Sequence, residues 1–167
     1  MNVPIPQTPD LQIRTATPQD IPLILDFIHG IAEFGNLSHQ VKTTENRLKE
    51  SLFSENPAAE VSLIFVNQEP AGYAVYFHNF STFEGKKGLY LEDLFIKSEF
   101  RGRGFGKQML KYLTELALQR DCARFEWAVL DWNKNAIKFY KGIGAEVFPD
   151  WRVCRMDRSA MEQFAKV

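Results

Sequence analysis

Cysteine is nearly absent from this chain: Cys122 and Cys154 are the only two in 167 residues. That is too few for a disulfide framework, and both are expected to behave as small buried apolar residues. The three histidines, His29, His39 and His78, are scattered without metal-ligand spacing, so no metal is implied. Neither sign of charge is in excess, with 20 Lys and Arg against 21 Asp and Glu and a net charge of −1. A nucleic-acid partner is therefore not expected, since duplex binders carry a basic surplus. No apolar run approaches a membrane span, and the start, Met1 to Pro9, lacks the basic and apolar regions of a secretory signal. The expectation is a soluble, cytoplasmic protein without membrane contact. No internal repeat breaks the order, and the length suits one well-packed domain over residues 11–167 behind a flexible, proline-rich lead-in over 1–10.

Glycine is present in ordinary number, yet three of the ten glycines fall within Arg101-Gly102-Arg103-Gly104-Phe105-Gly106. A strand-like run, Leu89 to Ile96, precedes this stretch and a strong helical pattern follows it. Glycines at alternate positions let successive backbone N–H groups turn to one point, and a helix start adds its positive end there. This is a cradle for a diphosphate. A Walker-type loop is excluded because Gly106-Lys107 is followed by Gln108 rather than Ser or Thr. The dinucleotide fingerprint is excluded because Gly104 and Gly106 are separated by one residue, not two. The remaining pattern, Arg/Gln-x-x-Gly-x-Gly/Ala on Arg101, Gly104 and Gly106, resembles the coenzyme A pyrophosphate loop of the GCN5-related N-acetyltransferases.

Periodicity predicts the elements around the cradle. A short strand spans Leu11 to Thr15, and a helix starts at Thr17-Pro18 with Ile21, Ile24, Leu25, Ile28, Ile31 and Ala32 on one buried face. A second helix runs from Thr44 to Phe53. Strands follow at Val61 to Val66 and Ala71 to Phe80, and a hairpin loop around Glu84 to Gly88 leads into the Leu89 strand. Past the cradle, a helix carrying Met109, Leu113, Leu116 and Ala117 ends near Arg120-Asp121. A strand from Phe125 to Leu130 and a helix from Asn133 to Lys141, stopped by Gly142, come next. A closing hairpin pairs Ala145 to Phe148 with Trp151 to Met156. Hairpins first and strand-helix-strand later imply an α/β fold whose mixed sheet carries helices on both faces.

A second segment resembles the same family. Asn133, Ala136, Phe139, Tyr140, Gly144 and Ala145 fill Asn-x-x-Ala/Ser-x-x-Phe-Tyr-x-x-x-Gly-Ala/Phe, and two helical turns put Asn133 and Tyr140 on one face. With Leu89 to Ile96, Arg101-Gly102, Trp132-Asn133, Phe139-Tyr140-Lys141 and Trp151-Arg152, the chain is most similar to the spermidine/spermine (diamine) branch, which includes thialysine acetyltransferases. The resemblance implies a mostly antiparallel sheet with one splayed parallel strand pair, an acetyl-CoA co-substrate and a homodimer. It implies that the backbone of Leu94, Phe95 and Ile96 meets the pantetheine arm. Arg101, Gly102, Arg103, Gly104, Phe105, Gly106 and Lys107 would hold the pyrophosphate, and Asn133, Lys134, Asn135, Ala136 and Tyr140 would flank the cofactor. Phe34, Glu92, Asp93, Glu126, Trp127, Ala128, Asp150 and Trp151 are its implied substrate contacts.

The chemistry asks for a base and an acid. An alkyl amine, with a pKa near 10.4, arrives protonated and must lose a proton before it attacks a thioester. Glu92 fills that role, through a water in related enzymes, and Tyr140 protonates the departing thiolate. The resemblance implies that a polyamine acetylase carries acids after the first helix and in the hairpin before the Glu92 strand, and this chain departs at both, with Phe34-Gly35-Asn36 and Asn79 to Phe83. The expected acceptor is therefore a small primary amine with one or two positive charges, a short diamine or a lysine-like amino acid, with spermine disfavoured. The alternatives are acetylation of a protein lysine or N-terminus, and an acyl-CoA sensor without turnover. Lys86, Lys87 and Lys97 read as ordinary solvated charges.

Overall fold

The computed structural model of the chain describes residues 8–167. The expected lead-in thus lies outside the described residues except for Thr8, Pro9 and Asp10, which form no regular element. Two compact units divide between Ala128 and Val129.

The first unit contains β1 (Leu11–Thr15), α1 (Ile21–Phe34), α2 (Glu45–Leu52), β2 (Glu60–Val66), β3 (Glu69–Ser81), β4 (Lys86–Ile96), α3 (Phe105–Gln119) and β5 (Phe125–Trp127). Its sheet runs in the order β1-β2-β3-β4-β5, antiparallel throughout except for the parallel pair β4-β5. Asn67 and Gln68, at φ 49° and 67°, make the two-residue turn between β2 and β3, where two left-handed residues match the strand twist. The β3–β4 loop is shorter than expected. β4 begins at Lys86 rather than Leu89 because Lys86, Lys87 and Gly88 pair with Ser81, Phe80 and Asn79.

α1 does not start at Pro18. Residues Pro18–Asp20 form a 3-10 turn, in which the Asp20 carboxylate accepts the Thr17 N–H at 2.7 Å and both Arg14 guanidinium nitrogens at 2.7 and 2.9 Å. The buried stripe of α1 centres on Ile21, Ile24 and Phe27. Leu25, Ile28, Ile31 and Ala32 are only half-buried, and Phe27, absent from the predicted face, is 1% exposed. Phe27 packs with Val61, Leu63, Tyr73 and Phe95 and with Leu48 of α2, so α1 and α2 cover one face of the sheet. Burying a side chain of this size contributes about 1.5–3 kcal/mol.

α3 covers the other face. Ile96 alternates with Phe95 along β4 and lies beneath Gly106, in the first turn of α3. The predicted stripe of α3 holds at Met109, Leu113 and Ala117, joined by Phe105 and Leu110, while Leu116 is half-buried.

β5 stops at Trp127 and does not reach Leu130. In the second unit, α4 (Lys134–Gly142) is capped by Asn133, whose side-chain oxygen accepts the Ala136 N–H at 3.2 Å. Gly142 is the last helical residue, and the left-handed position falls on Gly144 at φ 95°. Its N–H reaches the Lys141 carbonyl at 3.1 Å and that of Ala145 reaches Tyr140 at 3.0 Å, closing the helix in a Schellman motif. The expected hairpin of Ala145 to Phe148 with Trp151 to Met156 is not formed. Among the described residues no strand follows Trp127, and the chain ends with α5 (Arg158–Phe164), which hydrophobic pattern alone did not mark. Neither cysteine is buried: Cys122 is half-buried and Cys154 exposed.

Candidate active site

The opening in the sheet is set by β4 itself. Its parallel pairing with β5 covers Leu89, Tyr90 and Leu91 and ends there. On the other side, Tyr76 pairs with Leu91 and Val75 with Asp93, so Glu92 has no partner on β3 and forms a bulge. An extra residue bends its strand and raises the local twist. The bulge thus falls where β4 parts from β5, and among the described residues no strand pairs with β4 on that side from Glu92 to Ile96. Leu94, Phe95 and Ile96 lie along this free edge. Glu92 is exposed beside it.

Asp93 lies in a different environment. Its carboxylate accepts the Tyr73 hydroxyl at 3.0 Å, and the Tyr73 ring packs on Phe27 and Phe95. Burial pushes the Asp93 carboxyl above the usual range, opposed by that hydrogen bond. Tyr73 is pushed up as well, first by burial and then by the adjacent carboxylate. Tyr73 was invisible as a site residue in the sequence, because only the β3–β4 register brings it to Asp93 across 20 positions.

The cradle turn follows a 3-10 segment, Ser98–Phe100. Gly102 and Gly104 hold φ 72° and 84°, the left-handed region that excludes most side chains, and a Cβ at either meets no protein atom within 4 Å. Gly106 belongs to α3 and makes no turn of its own, so two glycines rather than three shape the loop. Gly104 is the N-cap of α3 and supplies no side-chain cap. By contrast, Thr44, Asn133 and Asp157 cap α2, α4 and α5. The first-turn N–H groups of Phe105, Gly106 and Lys107 therefore lack a capping oxygen, which leaves donors and a helix dipole for an anion.

Arg101 departs from its expected place. Its Nε donates to the Ile96 carbonyl at 2.7 Å, and its guanidinium lies 4.6 Å from the Phe34 ring centroid and 5.5 Å from that of Phe95. Arg103 lies over Phe105 at 5.0 Å, while Lys107 is exposed. Phe34 is 63% exposed at the end of α1. Glu126 is engaged rather than free, pairing with Arg124 at 2.9 Å and accepting from Asn79 at 2.8 Å. Trp127 is half-buried and Ala128 exposed.

In the second unit, Tyr140 is half-buried on α4, and burial raises its phenol pKa, so the hydroxyl keeps its proton at neutral pH. Asn133 spends its side-chain oxygen on the cap. Lys134 donates to the Asp131 carbonyl at 2.7 Å, Asn135 is exposed and Ala136 half-buried. Asp150 and Trp151 are exposed. Among the described residues no group of three or more His, Cys, Asp or Glu could hold a metal, and no helix is long and apolar enough to cross a membrane.

Residues 29–145 match the acetyltransferase (GNAT) family. The chain belongs to this family. It is 32% identical to the L-ornithine N5-acetyltransferase NATA1 of Arabidopsis thaliana, with 93% of this chain and 88% of the relative covered. It is 36% identical to the thialysine N-epsilon-acetyltransferase of Mus musculus, covering 92% and 96%. The thialysine match lies in the branch that the sequence resembled. Among solved structures, an integron cassette protein from the mobile metagenome of V. cholerae is similar, with a TM-score of 0.76, 26% identity and 94% and 98% coverage. The chain is thus a GNAT N-acetyltransferase.

Proposed function

We propose that this protein transfers the acetyl group of acetyl-CoA to a small primary amine by direct attack of the amine nitrogen on the thioester. The observation that carries the reading is the bulge at Glu92, where β4 leaves β5 on the strand that leads through the glycine turn to an uncapped helix start. That arrangement offers backbone groups to an extended arm and N–H donors to a diphosphate. The residues fit the co-substrate: the Gly102–Gly104 turn keeps open the space that a Cβ would fill.

Glu92 takes the proton of the incoming ammonium group, consistent with its exposure at the bulge. Tyr140, kept protonated by burial, returns a proton to the departing sulfur. Asp93 holds its place through Tyr73 and adds negative charge near an arriving cation. The relatives named for ornithine and thialysine support a short acceptor with a terminal amine.

We take the two units as one acetyltransferase domain, because the family match runs across both. Its setting is the cytoplasm, in keeping with two free thiols. A homodimer accounts for the exposed Phe148, Trp151, Val153 and Met156 of the second unit. The deciding experiment is release of free thiol from acetyl-CoA across a panel of putrescine, spermidine, spermine, lysine, ornithine and thialysine. Turnover with the short amines supports the reading, and no turnover with any of them rejects it.

A further inference from the structure

A cavity of about 340 Å³ opens between the end of α1 and the end of β4. Its walls mix two cations, Lys97 and Arg101, with two acids, Glu33 and Glu99, over an aromatic floor of Phe34 and Phe95. The Phe95 ring can approach α1 this closely because position 30 is glycine: a Cβ there would stand 2.7 and 2.9 Å from atoms at the far edge of the ring. Arg101 is fixed in the wall by its bond to the Ile96 carbonyl and by the two rings beneath it. Lys97, half-buried, has its ammonium 5.8 Å from the Phe27 centroid. Among the described residues neither cation has a carboxylate within ion-pair distance, although Glu99 is near enough to feel both.

Two cations without a direct counter-ion, sharing a small cavity with two acids and two aromatic rings, match a ligand head carrying both charges. A diamine or polyamine would bring only ammonium groups to Lys97 and Arg101, which repel them. An α-amino acid brings a carboxylate to the cations and an ammonium group to the acids. The cavity size falls at the small end of ligand sites. Phe95 lies three residues along β4 from Glu92, about 10 Å at strand rise. That separation lets the side-chain amine of a head group held here reach toward the bulge.

Resting on the acetyl-transfer reading above, we infer that this cavity is the subsite for the α-amino and α-carboxylate groups of a basic amino acid, with Lys97 the carboxylate-reading residue, so that the acceptor is a free amino acid acetylated on its side-chain amine. The subsite makes the decarboxylated counterpart of the same amino acid a poor substrate.

The test compares kcat/KM for ornithine against putrescine and for lysine against cadaverine, in the wild type and in Lys97→Met, with melting temperatures to confirm folding. Each pair differs by the carboxylate alone. A hydrogen bond to a charged group corresponds to about 10–100-fold, so the wild type should favour each amino acid by at least tenfold. Lys97→Met should erase most of that preference through KM for the amino acid, leaving KM for acetyl-CoA unchanged. A wild-type ratio near one overturns the inference, as does a ratio that survives Lys97→Met. A rise in KM for acetyl-CoA alone assigns the cation to the cofactor phosphates and likewise overturns it. Turnover of diamines at the amino-acid rate leaves acetyl transfer standing while the subsite falls, whereas no transfer to any amine removes both.

Discussion

Gly104→Val is the sharpest perturbation of the cradle. At φ 84° a valine sits in the left-handed region, which costs an L-residue about 1–2 kcal/mol, with β-branching at the upper end. For a domain of this size that lowers Tm by about 2–8 °C. The added carbons meet no protein atom at the Cβ, so the strain is local and the fold survives. A bound diphosphate would compete for the same space. Coenzyme A affinity should therefore fall at least tenfold, about 1.4 kcal/mol. Gly85→Val is the matched control: φ is 64°, its Cβ is equally unobstructed, and it lies in the β3–β4 turn. It should lose comparable Tm and keep wild-type affinity. Calorimetric titration with coenzyme A beside thermal melts reads both quantities. Wild-type affinity in Gly104→Val, or equal losses of affinity in the two variants, would refute the cradle assignment.

Tyr140→Phe should lower kcat by about 10²–10⁴ while acetyl-CoA affinity changes little, since only the proton donor is removed; unchanged turnover in a steady-state assay returns Tyr140 to a packing role. Glu92→Gln should slow transfer at neutral pH and recover in part as rising pH deprotonates the free amine, and pH–rate profiles identical to wild type would reject the base. Asp20, held at about 2 first by its Arg14 hydrogen bonds, contributes stability above the unfolded carboxylate range that is lost as pH falls from about 4 toward 2. Allowing for the partial exposure of Arg14, Asp20→Asn should cost about 1–2 kcal/mol at pH 7 and progressively less as pH falls through about 2, and denaturant melts showing a pH-independent difference would contradict the linkage.

The order of strands and helices was legible because it depends on local patterns: period-two runs in β1 to β4, helical stripes in α1 and α3, and turn residues between them. The cradle was legible for the same reason, since two left-handed glycines before an uncapped helix form a local object. Boundaries failed where pairing decides them. β4 starts at Lys86 because β3 runs beside it, and the hydrophobic content of Val129 and Leu130 could not extend β5 past Trp127. The predicted terminal hairpin failed likewise. Trp151, Val153 and Met156 carry strand-forming character, but a strand exists only where another supplies its hydrogen bonds.

The candidate site divides along the same line. Sequence alone determined the family, the glycine turn, and the candidates Glu92 and Tyr140, because motifs preserve residue type at fixed spacing. Tertiary structure alone decided that Glu92 is the bulged residue, that Asp93 leans on Tyr73, that Arg101 turns to Ile96 and Phe34, and that Lys97 faces a cavity instead of open solvent. These depend on strand register and on which face of a helix meets which strand. Such long-range pairings are fixed by the summed burial of the whole core, and no short window of sequence contains that sum.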